Sequence, residues 1–82
     1  MEEQYFKGLY AAYLGADFFS GPIYEWQIDL IKEDISHYCE SLIDHSQIPD
    51  LTKEEQKCQM KQNLDMYIHG VKDELKATGR LV

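Results

Sequence analysis

Large apolar residues recur at Tyr24, Ile28, Ile31, Ile35, Tyr38 and Leu42, at spacings of 4, 3, 4, 3 and 4. That is the a/d rhythm of an amphipathic helix, held for nearly three heptads and flanked by Leu30, Cys39 and Ile43. Pro22 suits a first helical position, with Ser20 or Gly21 as the cap, so the pattern predicts a helix over 22–44. A second apolar face runs through Met60, Leu64, Tyr67, Ile68, Val71 and Leu75. Ahead of it, Thr52 and Glu55 have capping-box spacing: the hydroxyl accepts from the Glu55 backbone N–H while the carboxylate reaches back. Lys72 and Lys76 complement the dipole near the far end, and Gly79 supplies a left-handed stop. A helix over 53–78 follows. Gly70 inside it costs roughly 1 kcal/mol against Ala and marks an expected close crossing with another helix.

The first third of the chain reads differently. The stretch from Tyr5 to Trp26 holds eight of the ten Phe, Tyr and Trp residues. On a helix over 3–17, at about 100° per residue, Tyr5, Phe6, Leu9, Tyr10, Tyr13 and Leu14 fill an arc of roughly 180°. The opposite arc is not polar: it carries Gly8, Ala11, Ala12 and Gly15. A surface helix should show a narrower apolar stripe and a charged back. This one lacks the back, so both of its sides are expected to be covered. The aromatic side suits the other two helices, and the small-residue side lets another backbone approach.

Two breaks, Ser20-Gly21-Pro22 and Ser46-Gln47-Ile48-Pro49-Asp50, contain both prolines. Between them there is no period-two alternation and no hairpin turn signal. The expected fold is a single all-α domain, a small three-helix bundle. Eighty-two residues make a marginal core, and three short helices do not cover both arcs of the first. A homodimer or higher homo-oligomer is therefore expected, with Gly8, Ala11, Ala12 and Gly15 at its interface.

Charge narrows the partners. Fifteen acidic residues against eight basic ones give −7, which disfavours direct binding of a nucleic-acid backbone and favours a basic partner. Cys39 and Cys58 are too few for a disulfide-stapled secreted domain. The acidic opening Met1-Glu2-Glu3-Gln4 is no leader sequence, and no apolar run reaches membrane-spanning length. A cytoplasmic setting, away from the membrane, is the expectation.

Candidate chemistry is sparse. Glu25, Asp29, Glu33, Glu40 and Asp44 form one stripe of the middle helix, to be read as a solvated face or as an acidic docking surface. Glu33 and His37, and Asp65 and His69, are four residues apart, with Asp73 a turn beyond. They complete no recognised metal motif, so no metal or cofactor is assigned. Cys39 and Cys58 read as packed apolar residues, and no glycine-rich phosphate loop exists. No catalytic residue is assigned, and an enzyme is not expected. Trp26 lies about 200° round the helix from Tyr24. The preferred role for it is a cover over the Phe18-Phe19 turn; the other is an exposed anchor.

Two function classes lead, ahead of a third in which Glu33/His37 and Asp65/His69 from adjacent helices bind a divalent metal. The first is a non-enzymatic interaction module, an inhibitor or adaptor that binds and blocks a larger basic or nucleic-acid-binding protein. Its candidate partner-binding residues are Glu25, Asp29, Glu33, Trp26 and Tyr24. The second is an oligomer that holds a planar or nucleotide-like ligand between subunits, using tyrosines and Trp26 as flat surfaces.

Overall fold

The computed structural model describes residues 3–82; Met1 and Glu2, the head of the acidic opening, lie outside the described residues. The chain is all-α, with 80% of the described residues helical. Its helices are α1 (Glu3–Leu14), α2 (Asp17–Ser20), α3 (Glu25–Asp44) and α4 (Asp50–Ala77). The three long helices fall where the apolar periodicity places them. The fourth, α2, is a single turn that the apolar pattern did not predict. Gly15 takes φ +62°, a left-handed conformation that ends α1 at Leu14, and the chain re-enters a helix at Asp17.

The frame is an antiparallel hairpin of α3 and α4. From α3, Ile28, Ile31, Ile35, Cys39 and Ile43 are buried; from α4, Met60, Leu64, Ile68 and Leu75 are buried with them. The buried stripe of α3 therefore drifts from the expected a/d seam. Tyr38 and Leu42 are exposed, because a straight helix has 3.6 residues per turn and drifts off a strict heptad line; Tyr24 is exposed because it precedes the helix in an extended conformation. Cys39 and Ile43 take the places predicted for Tyr38 and Leu42.

Both ends of the hairpin differ from expectation for local reasons. Helix α3 begins at Glu25, not Pro22, because the residues before it are drawn into extended pairing with the C-terminal segment. Ile23 is buried in a parallel bridge with Leu81. Its N–H donates to the Arg80 carbonyl at 2.9 Å, and its own carbonyl accepts from the Val82 N–H at 2.8 Å. Gln27 then caps α3, its side chain accepting from the Tyr24 N–H at 3.0 Å. Helix α4 begins at Asp50 with Pro49 as the cap, so Thr52 already lies inside it and does not cap it. Asp50 places its carboxylate at the positive end of the helix instead. The C-terminal end matches the reading: α4 stops at Ala77 and Gly79 takes φ +71°.

Helix α1 lies across one half of the hairpin. Twelve residues of α1 reach about 18 Å, against about 42 Å for the twenty-eight of α4. Phe6 and Tyr10 are its buried anchors, both against the ring of Tyr67 at centroid distances of 6.0 Å. Tyr10 also donates its hydroxyl to the Ile28 carbonyl at 2.9 Å, fixing α1 to α3. Arg80 ties α2 into place, donating to the carbonyls of Asp17, Phe18 and Gly21 at 2.7, 2.8 and 3.0 Å.

Burial raises the hydroxyl pKa of Tyr10, and it pushes Tyr67 up to about 12. In both cases the folded state favours the neutral phenol, whose ordinary pKa is about 10. Their contribution is fully present below pH about 10 and is lost as pH climbs through the folded values. Urea unfolding followed by circular dichroism should show stability falling between pH about 10 and 12, with a shallower fall in Tyr67→Phe. Stability that stays level to pH 12 would contradict this packing. Tyr10→Phe should cost about 1 kcal/mol at neutral pH, the net contribution of one hydrogen bond.

Candidate interaction surfaces

The five candidate partner-binding residues, Tyr24, Glu25, Trp26, Asp29 and Glu33, are all exposed at the start of α3. Two of them are drawn together by a lysine from the other helix. Lys72 of α4 lies 2.8 Å from the Asp29 carboxylate and 3.4 Å from that of Glu25. These hydrogen bonds and charges, Asp29's foremost, raise the lysine's pKa above its ordinary value.

Two more carboxylates of the acidic stripe, Glu40 and Asp44, are paired in the same way. Lys61 takes Glu40 at 2.9 Å and Lys57 takes Asp44 at 2.6 Å. Between these and the Lys72 site, Lys32 of α3 meets Asp65 of α4 at 2.5 Å. The hydrogen bond from Lys61 lowers the Glu40 pKa, and that from Lys57 lowers the Asp44 pKa. The stripe expected to face outward therefore runs along the edge of the α3/α4 seam, where α4 lysines neutralise much of it. The sequence signal for this was present: in an antiparallel hairpin, lysines read backward along α4 meet carboxylates read forward along α3. Glu33 is in no ion pair of this ladder, and Glu25 and Asp29 share a single cation. The surplus negative charge of the stripe thus collects at its N-terminal end.

At that end stands Trp26, 61% exposed. It does not cover the Phe18-Phe19 turn, which corrects the preferred reading. Two residues from Ile28, it points about 200° away from the buried stripe. Tyr24 precedes the helix, with φ −83° and ψ 142°, so the helical angle between the two does not apply. Their rings instead stack, 6.2 Å between centroids and 28° between planes.

Helix α1 offers a second surface. Gly8, Ala12 and Gly15 of the expected oligomer interface are exposed and Ala11 is half-buried. A Cβ placed at Gly8 or Gly15 would meet nothing within 4 Å. Among the described residues, nothing therefore packs against Gly8 or Gly15. On the α3 flank, Tyr5, Tyr13 and Tyr38 are exposed around a shallow depression lined by Leu9, Tyr13, Ile35 and Tyr38. Burial, then a hydrogen bond with Tyr38, raise the pKa of Tyr5. On the α4 flank lies a groove of about 780 Å³ between α1 and α2 on one side and α4 on the other. Gly70 lines it with open space where a Cβ would stand, so the helix crossing expected there is absent. Phe19 and Met66, both exposed, also line it; the sequence drew attention to Phe19 only as part of the turn Trp26 was to cover, and to Met66 not at all. Met66 carries no signal of its own, because it sits off the helix's apolar face.

Among the described residues, no three His, Cys, Asp or Glu side chains gather where they could hold a metal ion. His69 meets Asp73 at 3.5 Å; Cys39 is buried and Cys58 exposed, neither in a disulfide. No helix among the described residues is long and apolar enough to cross a membrane. Compared with known proteins, the chain matches no family model, no curated protein and no solved structure.

Trp26→Ala should change stability by no more than about 0.5 kcal/mol, as for a surface substitution. A buried Trp would cost about 3–5 kcal/mol. Emission from the single tryptophan should be red-shifted and quenchable by iodide in the free protein. A blue-shifted, protected signal would place Trp26 in a core and contradict the site.

Proposed function

We propose that the protein is a small non-enzymatic interaction module, an inhibitor or adaptor, that grips a basic surface of a larger protein with the N-terminal end of α3. The observation that carries this reading is the exposed Trp26–Tyr24 stack beside Glu25, Asp29 and Glu33. Aromatic faces attract cations, and Trp and Tyr are enriched among interface hot spots. Carboxylates next to them complete a site for arginine or lysine side chains. A groove that normally holds nucleic acid presents such side chains, so blocking one is the mode of action this surface suits.

The same reading includes self-association through the α1 layer, whose side carrying Gly8, Ala11, Ala12 and Gly15 is uncovered. The two free cysteines support a reducing, cytoplasmic setting. A planar cationic ligand seated on Trp26 is the second reading, favoured by the same exposed stack.

The test is affinity capture from the native host, comparing wild type with Trp26→Ala and with Glu25→Gln/Asp29→Asn/Glu33→Gln. Neutralisation is preferred to charge reversal because reversal would set new lysines against Lys72. Wild type should retain a basic protein, released as salt rises, and both variants should lose it while melting normally. Retention of the same partner by both variants would overturn the proposal.

A further inference from the structure

The groove beside α4 has the character of an interface that is open in the single chain. Its floor is apolar: Phe6 and Leu75 are buried, and Phe18, Tyr67 and Val71 are half-buried. Phe19 and Met66 stand among its lining, 61% and 74% exposed. Large apolar side chains this exposed are what the core of a protein interface supplies, aromatic residues and methionine above all. Four charged residues also line it, Glu3 and Glu74 against Lys7 and Arg80. They cancel, in a chain that carries −7.

We propose that this groove is the seat of a second copy of the chain, two molecules related by a two-fold axis each setting Phe19 and Met66 into the other's groove. The proposal rests on the reading that the chain self-associates, and it gives that association this groove as its surface in place of the small-residue side of α1. Charge selects the occupant. Two copies repel each other over most of their acidic surface, so they meet at least cost where local charge cancels. A basic protein or an anionic ligand gains nothing from such a balanced rim. A second copy brings equal numbers of acids and bases, and a two-fold contact lets the lysine of one face the glutamates of the other. A standard interface removes about 800 Å² from each partner, a modest part of the 5474 Å² that the chain exposes.

Sedimentation equilibrium on wild type, Met66→Glu, Phe19→Ser and Ala12→Glu tests the assignment. Both groove residues are exposed in the single chain, so each variant should keep its helical circular dichroism. Phe19→Ser introduces no charge and sits outside α4, which keeps the test open if Met66→Glu folds poorly. Wild type should be dimeric at high micromolar concentration. Met66→Glu should dissociate about tenfold or more readily, because it buries an unpaired carboxylate, and Phe19→Ser should weaken the dimer in the same direction. Ala12→Glu, on the other side of α1, should leave the dimer intact. Wild-type association with groove variants unchanged and Ala12→Glu monomeric would overturn the groove while keeping self-association. A wild type that is monomeric throughout would overturn both.

Discussion

The seam between α3 and α4 is the constraint on which the other features depend. Ile28, Ile31, Ile35, Cys39 and Ile43 close over Met60, Leu64, Ile68 and Leu75, and this apolar burial is the main source of stability in a chain so small. The lysine–carboxylate ladder along the seam's edge adds little energy per pair. It sets register instead: shifting one helix against the other would leave Lys57, Lys61 and Lys72 without their carboxylates. Once the hairpin exists, α1 has a platform, and Tyr10 finds both the Tyr67 ring and the Ile28 carbonyl at fixed places.

The hairpin explains why sequence periodicity was informative for some elements and silent for others. Helix α4 was readable because its apolar residues repeat and Gly79 stops it, both local signals. The start of α3 was not, since Pro22 is a good local helix opener. What overrules it is pairing of Ile23 with Leu81, a partner nearly sixty residues away that no window on the sequence reveals. Gly15 misleads for a related reason. Its lack of a side chain counts toward a smooth helix face, whereas its positive φ is what the turn requires. A leucine there would strain the backbone whether or not a partner is present, so Ala12 is the cleaner position for probing that side. At the candidate site, the outward placing of Glu25, Asp29 and Glu33 was legible from helical spacing, whereas Tyr24 was placed on the apolar seam and Trp26 over a turn, and both are exposed. The lysine that neutralises Glu25 and Asp29, Lys72, needed the antiparallel pairing to be known.

What the fold leaves uncovered follows from the same economy of length. Three helices bury one stripe each, and the aromatic-rich N-terminal quarter has more apolar surface than one stripe absorbs. Phe6 and Tyr10 take the core positions; Tyr5, Tyr13 and Phe19 do not. Trp26 is displaced from the core by its place opposite the isoleucine stripe. The crowding of rings is therefore only partly structural. The remainder forms two surfaces of different electrostatic character: an aromatic pair with surplus negative charge at the start of α3, and a neutral apolar groove beside α4. On the proposed reading the first takes a basic partner and the second a copy of the chain, and the two surfaces share no residue.

Native-state hydrogen exchange tests the central claim, that the hairpin carries the fold and the α1 layer is a weaker addition to it. At low protein concentration, amides within 28–43 and 60–75 should exchange only through global unfolding, with one shared free energy. Amides of α1 should open at distinctly lower free energy, through detachment of that helix alone. Protection of α1 as strong as that of α3 and α4 in the single chain would make all three helices one indivisible core, and would contradict a hairpin that carries the fold by itself.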